Sequence, residues 1–192
     1  MQINDILNES RAIWGNKKCG LSEIIVRMGK VLGDICRYAR NEKITDRVSE
    51  NDLKKELGNM IVSGTRWCDD LGFDPRDCVV LAVAAQKRFR AYEGETAILS
   101  TEVGDLLAMG RLIWGNEKCD LDQVVVRMGK VFGDICRYGR NAKPSDRQDG
   151  EAELKKEMGN MIFSTICWCN DLGYDPDDCI KIAFEAQKEY QK

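Results

Sequence analysis

VRMGKVLGDICRYARN, residues 26–41, returns as VRMGKVFGDICRYGRN at residues 126–141. Outward from this pair, RAIWGNKKCG at 11–20 returns as RLIWGNEKCD at 111–120, and LKKELGNMI at 53–61 as LKKEMGNMI at 154–162. WCDDLGFDPRDC at 67–78 returns as WCNDLGYDPDDC at 168–179. The register shifts by one residue between Arg47 and Leu53, so the second copy carries one extra residue in the intervening loop. A period this long exceeds a solenoid unit and has the size of a small domain, able to hold its own core or half of a shared one. The chain therefore reads as repeat 1 at 1–91, a linker at 92–101 (YEGETAILST) and repeat 2 at 102–192.

Each repeat reads as four helices. Ile3, Ile6, Leu7 and Ile13 mark the first, near 3–14, ended by Gly15. Ile24, Ile25, Met28, Val31, Leu32 and Ile35 recur at helical spacing over about 22–41, the second. The third is expected to start at the capping arrangement Ser49-Glu50-Asn51-Asp52, to bury Leu53, Leu57, Met60, Ile61, Trp67 and Leu71, and to end at Gly72. Asp74-Pro75 opens the fourth, an N-cap followed by the residue best tolerated at the first helical position, with Val79, Val80, Ala82, Val83 and Phe89 following. No segment alternates at period two. The fold class is all-α, with antiparallel helices in bundle packing and the two copies forming a covalent pseudo-dimer.

Composition narrows the chemistry. Of 192 residues, 43% are hydrophobic and 32% charged, the balance of a globular protein. A net charge of −3 argues against a generally basic binder of nucleic-acid polymers. No apolar run approaches the length of a membrane span, and MQINDILNES carries no signal-peptide pattern, so a cytoplasmic location is expected. Histidine is absent, which removes the commonest general base and every His-ligated metal site. The nine cysteines form no Cys-x-x-Cys pair, and the reading is reduced thiols, mostly small core residues.

Lys30-Val31-Leu32-Gly33-Asp34 on the second helix, Glu56-Leu57-Gly58-Asn59 on the third, and Leu71-Gly72-Phe73-Asp74-Pro75 after it resemble the MazG-type all-α NTP pyrophosphatases. The resemblance covers most of both repeats and implies the four-helix order. In that family an E-E-x-x-E motif and a later E-x-x-D motif converge on Mg²⁺, which neutralises a triphosphate and activates water. Carried onto this chain, the first motif reads Lys30, Val31 and Asp34, and the second Glu56 and Asn59. The second copy repeats the set as Lys130, Val131, Asp134, Glu157 and Asn160. Only Asp34 and Glu56, with their counterparts, remain acidic, and a lysine beside them repels Mg²⁺ and is expected to pair with one of them. No catalytic or metal residue is assigned, and no cofactor is expected. Mg²⁺ belongs only to the enzymatic alternative. The resemblance also implies two equivalent pockets per chain, each lined by both copies, and further self-association of whole chains.

Arg27, Lys30, Asp34, Arg37 and Asn41 fall within about 80° on a helix of 3.6 residues per turn, a strip repeated at Arg127, Lys130, Asp134, Arg137 and Asn141. Arg40, Lys43, Arg47, Lys54 and Lys55 add positive charge nearby in sequence. Such a strip would hold phosphates directly, while Tyr38, Tyr138, Trp14 and Trp67 offer stacking surfaces. The bland alternative is an ordinary solvated face with tryptophans in the core. The expected ligand-binding residues are Arg27, Lys30, Asp34, Arg37, Tyr38, Glu56 and Asn59, with Arg127, Lys130, Asp134, Arg137, Tyr138, Glu157 and Asn160. The expected function is binding of a linear or cyclic nucleotide without hydrolysis. Sequestration of a nucleotide second messenger, as by small phage counter-defence proteins, is one role this would serve. Two alternatives are an Mg²⁺-dependent nucleoside triphosphate pyrophosphohydrolase with a reduced site, with Asp70 as a further candidate carboxylate, and a helical protein-interaction module.

Overall fold

The computed structural model describes residues 1–40, 47–90, 100–140 and 147–191, with only the backbone at 47–49 and 147–149. The proposed linker, apart from Ser100 and Thr101, lies outside them, as do Asn41, Lys43 and Asn141. Among the described residues the chain is all-α: α1 Ile3–Trp14, α2 Leu21–Arg40, α3 Arg47–Asp70, α4 Pro75–Phe89, α5 Val103–Trp114, α6 Leu121–Arg140, α7 Arg147–Asp171 and α8 Pro176–Tyr190.

The local signals act where the residues place them. Asp74 caps α4 by accepting from the Arg76 amide at 2.9 Å, and Asp175 caps α8 through the Asp177 amide at 2.8 Å, each just before a first-turn proline. Gly72 and Gly173, at φ 81° and 84°, turn the chain after α3 and α7. One end differs. α3 begins at Arg47, so Ser49 lies inside the helix and not at its cap.

The α3 apolar residues Leu53, Leu57, Met60, Ile61 and Trp67 are buried, as are Ile24, Met28, Val31 and Ile35 of α2. Phe89 departs from the apolar pattern expected of α4: it is 82% exposed, and Val80 is also on the surface. Both lie on the outer side of a helix whose inner side is filled by Cys78, Val79, Ala82 and Val83.

The packing joins the copies by exchange. α3 lies against α8 and α4 against α7, while α3 meets α7 and α2 meets α6 across the centre. Each copy's fourth helix therefore rests on the other copy's third, and α1 and α2 flank α3 as α5 and α6 flank α7. The approach is closest at Gly58 and Gly159. A Cβ at Gly58 would overlap the Cys179 carbonyl oxygen, and one at Gly159 the Cys78 carbonyl oxygen. Lys54 Nζ lies 5.0 Å from the Tyr174 ring centre and Lys155 Nζ 5.0 Å from that of Phe73, cation–π contacts that tie each α8 or α4 loop to the opposite copy. At the other end, the Ile3 amide donates to the Thr101 carbonyl at 3.1 Å and the Val103 amide to the Met1 carbonyl at 2.9 Å. These reciprocal bonds make equivalent residues Gln2 and Glu102 an isolated antiparallel bridge.

Five of the nine thiols behave as core, while Cys19, Cys36, Cys119 and Cys136 are half-buried. Cys68, Cys78, Cys167, Cys169 and Cys179 are buried. Burial pushes the Cys167 thiol up to about 12. Hydrogen bonding to Cys78 and Cys179 and burial raise Cys68 and Cys169 well above the ordinary thiol value. Iodoacetamide at about pH 8 is expected to leave these cysteines unmodified in the folded chain and to alkylate every cysteine after denaturation, read by mass spectrometry.

Candidate functional site

A stripe of polar residues runs along one side of α3, at steps of three and four: Glu56, Asn59, Ser63, Arg66 and Asp70. The spacing is that of one helix face. Glu56, Arg66 and Asp70 are buried, a costly place for polar groups without partners. α1 and α2 cover this side, and α8 of the other copy reaches it.

At the Glu56 end the partners form a chain. Glu56 Oε1 meets Lys55 Nζ at 3.3 Å, and Glu56 Oε2 accepts from Asn59 Nδ2 at 3.2 Å. Asn59 Oδ1 accepts from Gln187 Nε2 of α8 at 2.9 Å, and Gln187 Oε1 accepts from Trp14 Nε1 of α1 at 2.6 Å. One network thus joins three helices from both copies. The second copy holds the first links: Lys156 to Glu157 at 3.1 Å, Asn160 Nδ2 to Glu157 at 3.4 Å, and Gln86 Nε2 to Asn160 Oδ1 at 2.9 Å.

The α2 strip faces outward. Lys30, with a side chain 77% exposed, pairs with Asp34 at 2.9 Å, and Lys130 pairs with Asp134 at the same distance. The Lys30 ammonium is raised above the usual lysine range by this bond to Asp34, with Glu56 a smaller contributor, so α2 and α3 share one electrostatic neighbourhood. Arg27 pairs with Glu23 at 2.7 Å. The Arg37 and Arg137 guanidinium carbons lie 5.5 and 5.6 Å from the ring centres of Tyr38 and Tyr138. Both tyrosines are half-buried against the core, whereas Trp67 is wholly enclosed and offers no face for stacking. Arg27, Lys30 and Arg37 therefore form a solvated strip in which Arg27 and Lys30 are ion-paired, while Glu56 and Asn59 are bonded within the α3 network.

At the Asp70 end, Arg11 of α1 donates to both Asp69 and Asp70, to the latter at 2.5 Å. Lys18 Nζ donates to the Asp69 carbonyl at 2.9 Å. The Arg66 guanidinium carbon lies 4.9 Å from the ring centre of Trp14, whose indole also approaches Tyr190 at 6.1 Å between centroids. Burial pushes the Arg66 guanidinium below the usual arginine value, with Asp70 acting in the opposite sense.

Sequence reading reached Glu56 and Asn59 through the family pattern and proposed Asp70 only as a reserve ligand. It missed Arg66, Gln187 and Arg11. The three-four recurrence of polar residues on an otherwise apolar helix was the available signal for Arg66. Gln187 had no such signal, because its role depends on the exchange of α8. Against models of protein families, curated proteins and solved structures, the chain finds no match.

Proposed function

We propose that the chain is a degenerate MazG-like pair of repeats that binds a phosphorylated nucleotide and does not hydrolyse it. The observation that carries the reading is the state of the carboxylates at the family's metal positions. Asp34 Oδ2 is taken by Lys30, Glu56 Oε1 by Lys55 and Glu56 Oε2 by Asn59. Mg²⁺ needs several free, hard oxygen ligands in octahedral array, and a donor set neutralised by lysines does not fit it. Arg27, Lys30 and Arg37, with Arg127, Lys130 and Arg137, offer charge-assisted bonds to phosphate oxygens without an intervening metal, Arg27 and Lys30 by exchanging Glu23 and Asp34 for the phosphate. Sequestration of a nucleotide messenger is the role such binding would serve.

Calorimetric titration of the chain with a panel of linear and cyclic nucleotides, EDTA present, tests this. Binding that survives EDTA, with no pyrophosphate released from nucleoside triphosphates when Mg²⁺ replaces the chelator, is the expected result. An absence of binding across the panel overturns it. Pyrophosphate release abolished by Glu56→Gln with Glu157→Gln would instead establish the hydrolase reading.

A further inference from the structure

The copies differ where α1 meets α3 and α5 meets α7. Arg66 is replaced by Cys167, Ser10 by Gly110, Glu9 by Met109 and Val62 by Phe163. In the second copy Phe163 packs on Trp114 at 5.1 Å between centroids, and Cys167 Sγ fills the space where a Cβ at Gly110 would stand. Asp171 is held by Arg111 at 2.5 Å. That place is filled mainly by apolar contacts, although Arg111 Nε is buried there without a hydrogen-bond partner among the described residues.

The first copy is unfinished at the same place. Arg66 is 6% exposed and makes no hydrogen bond or ion pair among the described residues, its contact being the Trp14 ring. One turn further along α3, Asp70 Oδ2 is buried and also without a hydrogen-bond partner there. An unused set of donors thus stands beside an unused acceptor, four residues apart on one helix face, where side chains are neighbours. Leaving the buried Oδ2 unsatisfied costs free energy that a ligand can recover. Trp14 is half-buried, and the neighbouring Tyr190 is exposed, so aromatic surface lies next to the polar pair. A group with an acceptor next to a donor on one planar edge, able to stack on an aromatic ring, is the complement of this arrangement. Nucleobases have that edge, whereas a bare phosphate chain has no ring.

We propose that the first copy alone carries a nucleobase subsite, in which Arg66 donates to the base edge and Asp70 Oδ2 accepts from it beside Trp14. The inference rests on the nucleotide-binding reading and deepens it: the chain takes one base, not two.

The test titrates the unaltered chain with ATP, GTP, CTP and UTP, EDTA present, and with inorganic tripolyphosphate as the base-free probe. The expected result is one equivalent of the preferred nucleotide per chain, bound at least about tenfold more tightly than tripolyphosphate. Arg66→Gln is expected to erase that margin, and Cys167→Ala to keep it. Hydrogen exchange on the unaltered chain needs no variant to fold. Protection by the nucleotide at 11–14 and 66–70, without protection at 111–114 and 167–171, is expected. Two equal equivalents, protection in both clefts, or a margin that survives Arg66→Gln overturns the subsite and leaves nucleotide binding standing. Tripolyphosphate binding as tight as the nucleotides' also overturns it, while failure of every probe here and of the cyclic nucleotides to bind overturns both readings.

Discussion

Alanine at Gly58 or at Gly159 is expected to lower folding stability by about 3 kcal/mol each, the upper range of overpacking costs. The added methyl group would meet the backbone carbonyl of Cys179 or Cys78, and no rotamer change relieves a clash with main chain. α8 would have to lift from α3, or α4 from α7, and these are the contacts by which the copies hold each other. The comparison is Gly33→Ala and Gly133→Ala. Both glycines lie within helices and have no atom near an added Cβ, so alanine should stabilise each by about 0.5–1 kcal/mol through reduced unfolded-chain entropy. Urea denaturation of the four single variants measures both signs. Equal effects at Gly58 and Gly33 would show that the crossing is not as close as described.

Arg11→Met should cost about 3–5 kcal/mol, the range for removing one partner of a buried ion pair. The Asp70 side chain is fully buried and its Oδ1 depends on Arg11 at 2.5 Å, with Asp69 on the same guanidinium. Removing the arginine leaves the buried carboxylate with neither oxygen hydrogen-bonded. Adding Asp70→Asn to that variant should recover much of the loss, because the stranded charge is then gone. A double-mutant cycle from denaturant melts gives the coupling directly. If the two single losses simply add, the pair is not coupled and the Asp70 end of the stripe is held by other contacts.

The helices were legible because their signals are local. The apolar spacing of Ile24, Met28, Val31 and Ile35, the Asp74-Pro75 start and the glycine after α3 each act within a few residues. Phe89 continues the apolar residues of α4 in sequence but is exposed, because burial is set by what faces a helix and among the described residues no neighbour covers that side. At the site, Lys30 was expected to pair with Asp34 or Glu56, and it takes Asp34, an interaction one turn long. Its exposure was not legible, since it depends on where α2 lies relative to α3. The bond from Gln187 to Asn59 spans the two copies and follows only from the exchange of α8. The internal repeat also favoured the idea of equivalent pockets. Arg66 against Cys167 was visible in the aligned copies, but its weight comes from Trp14, Phe163 and Asp70 around those positions.

The glycine seat on α3 has a consequence for how the chain is made. Gly58 and its apolar neighbours Leu57, Met60 and Ile61 leave the ribosome well before Cys179, the residue whose backbone covers the glycine. At typical translation speeds the interval is on the order of ten seconds. During that time the first copy carries an uncovered helix face and no native means of closing it. A neighbouring nascent chain displays the same face and, once finished, the same covering helix. Spacing between ribosomes, and not only the stability of the finished protein, therefore bears on whether α8 closes on its own chain or on another.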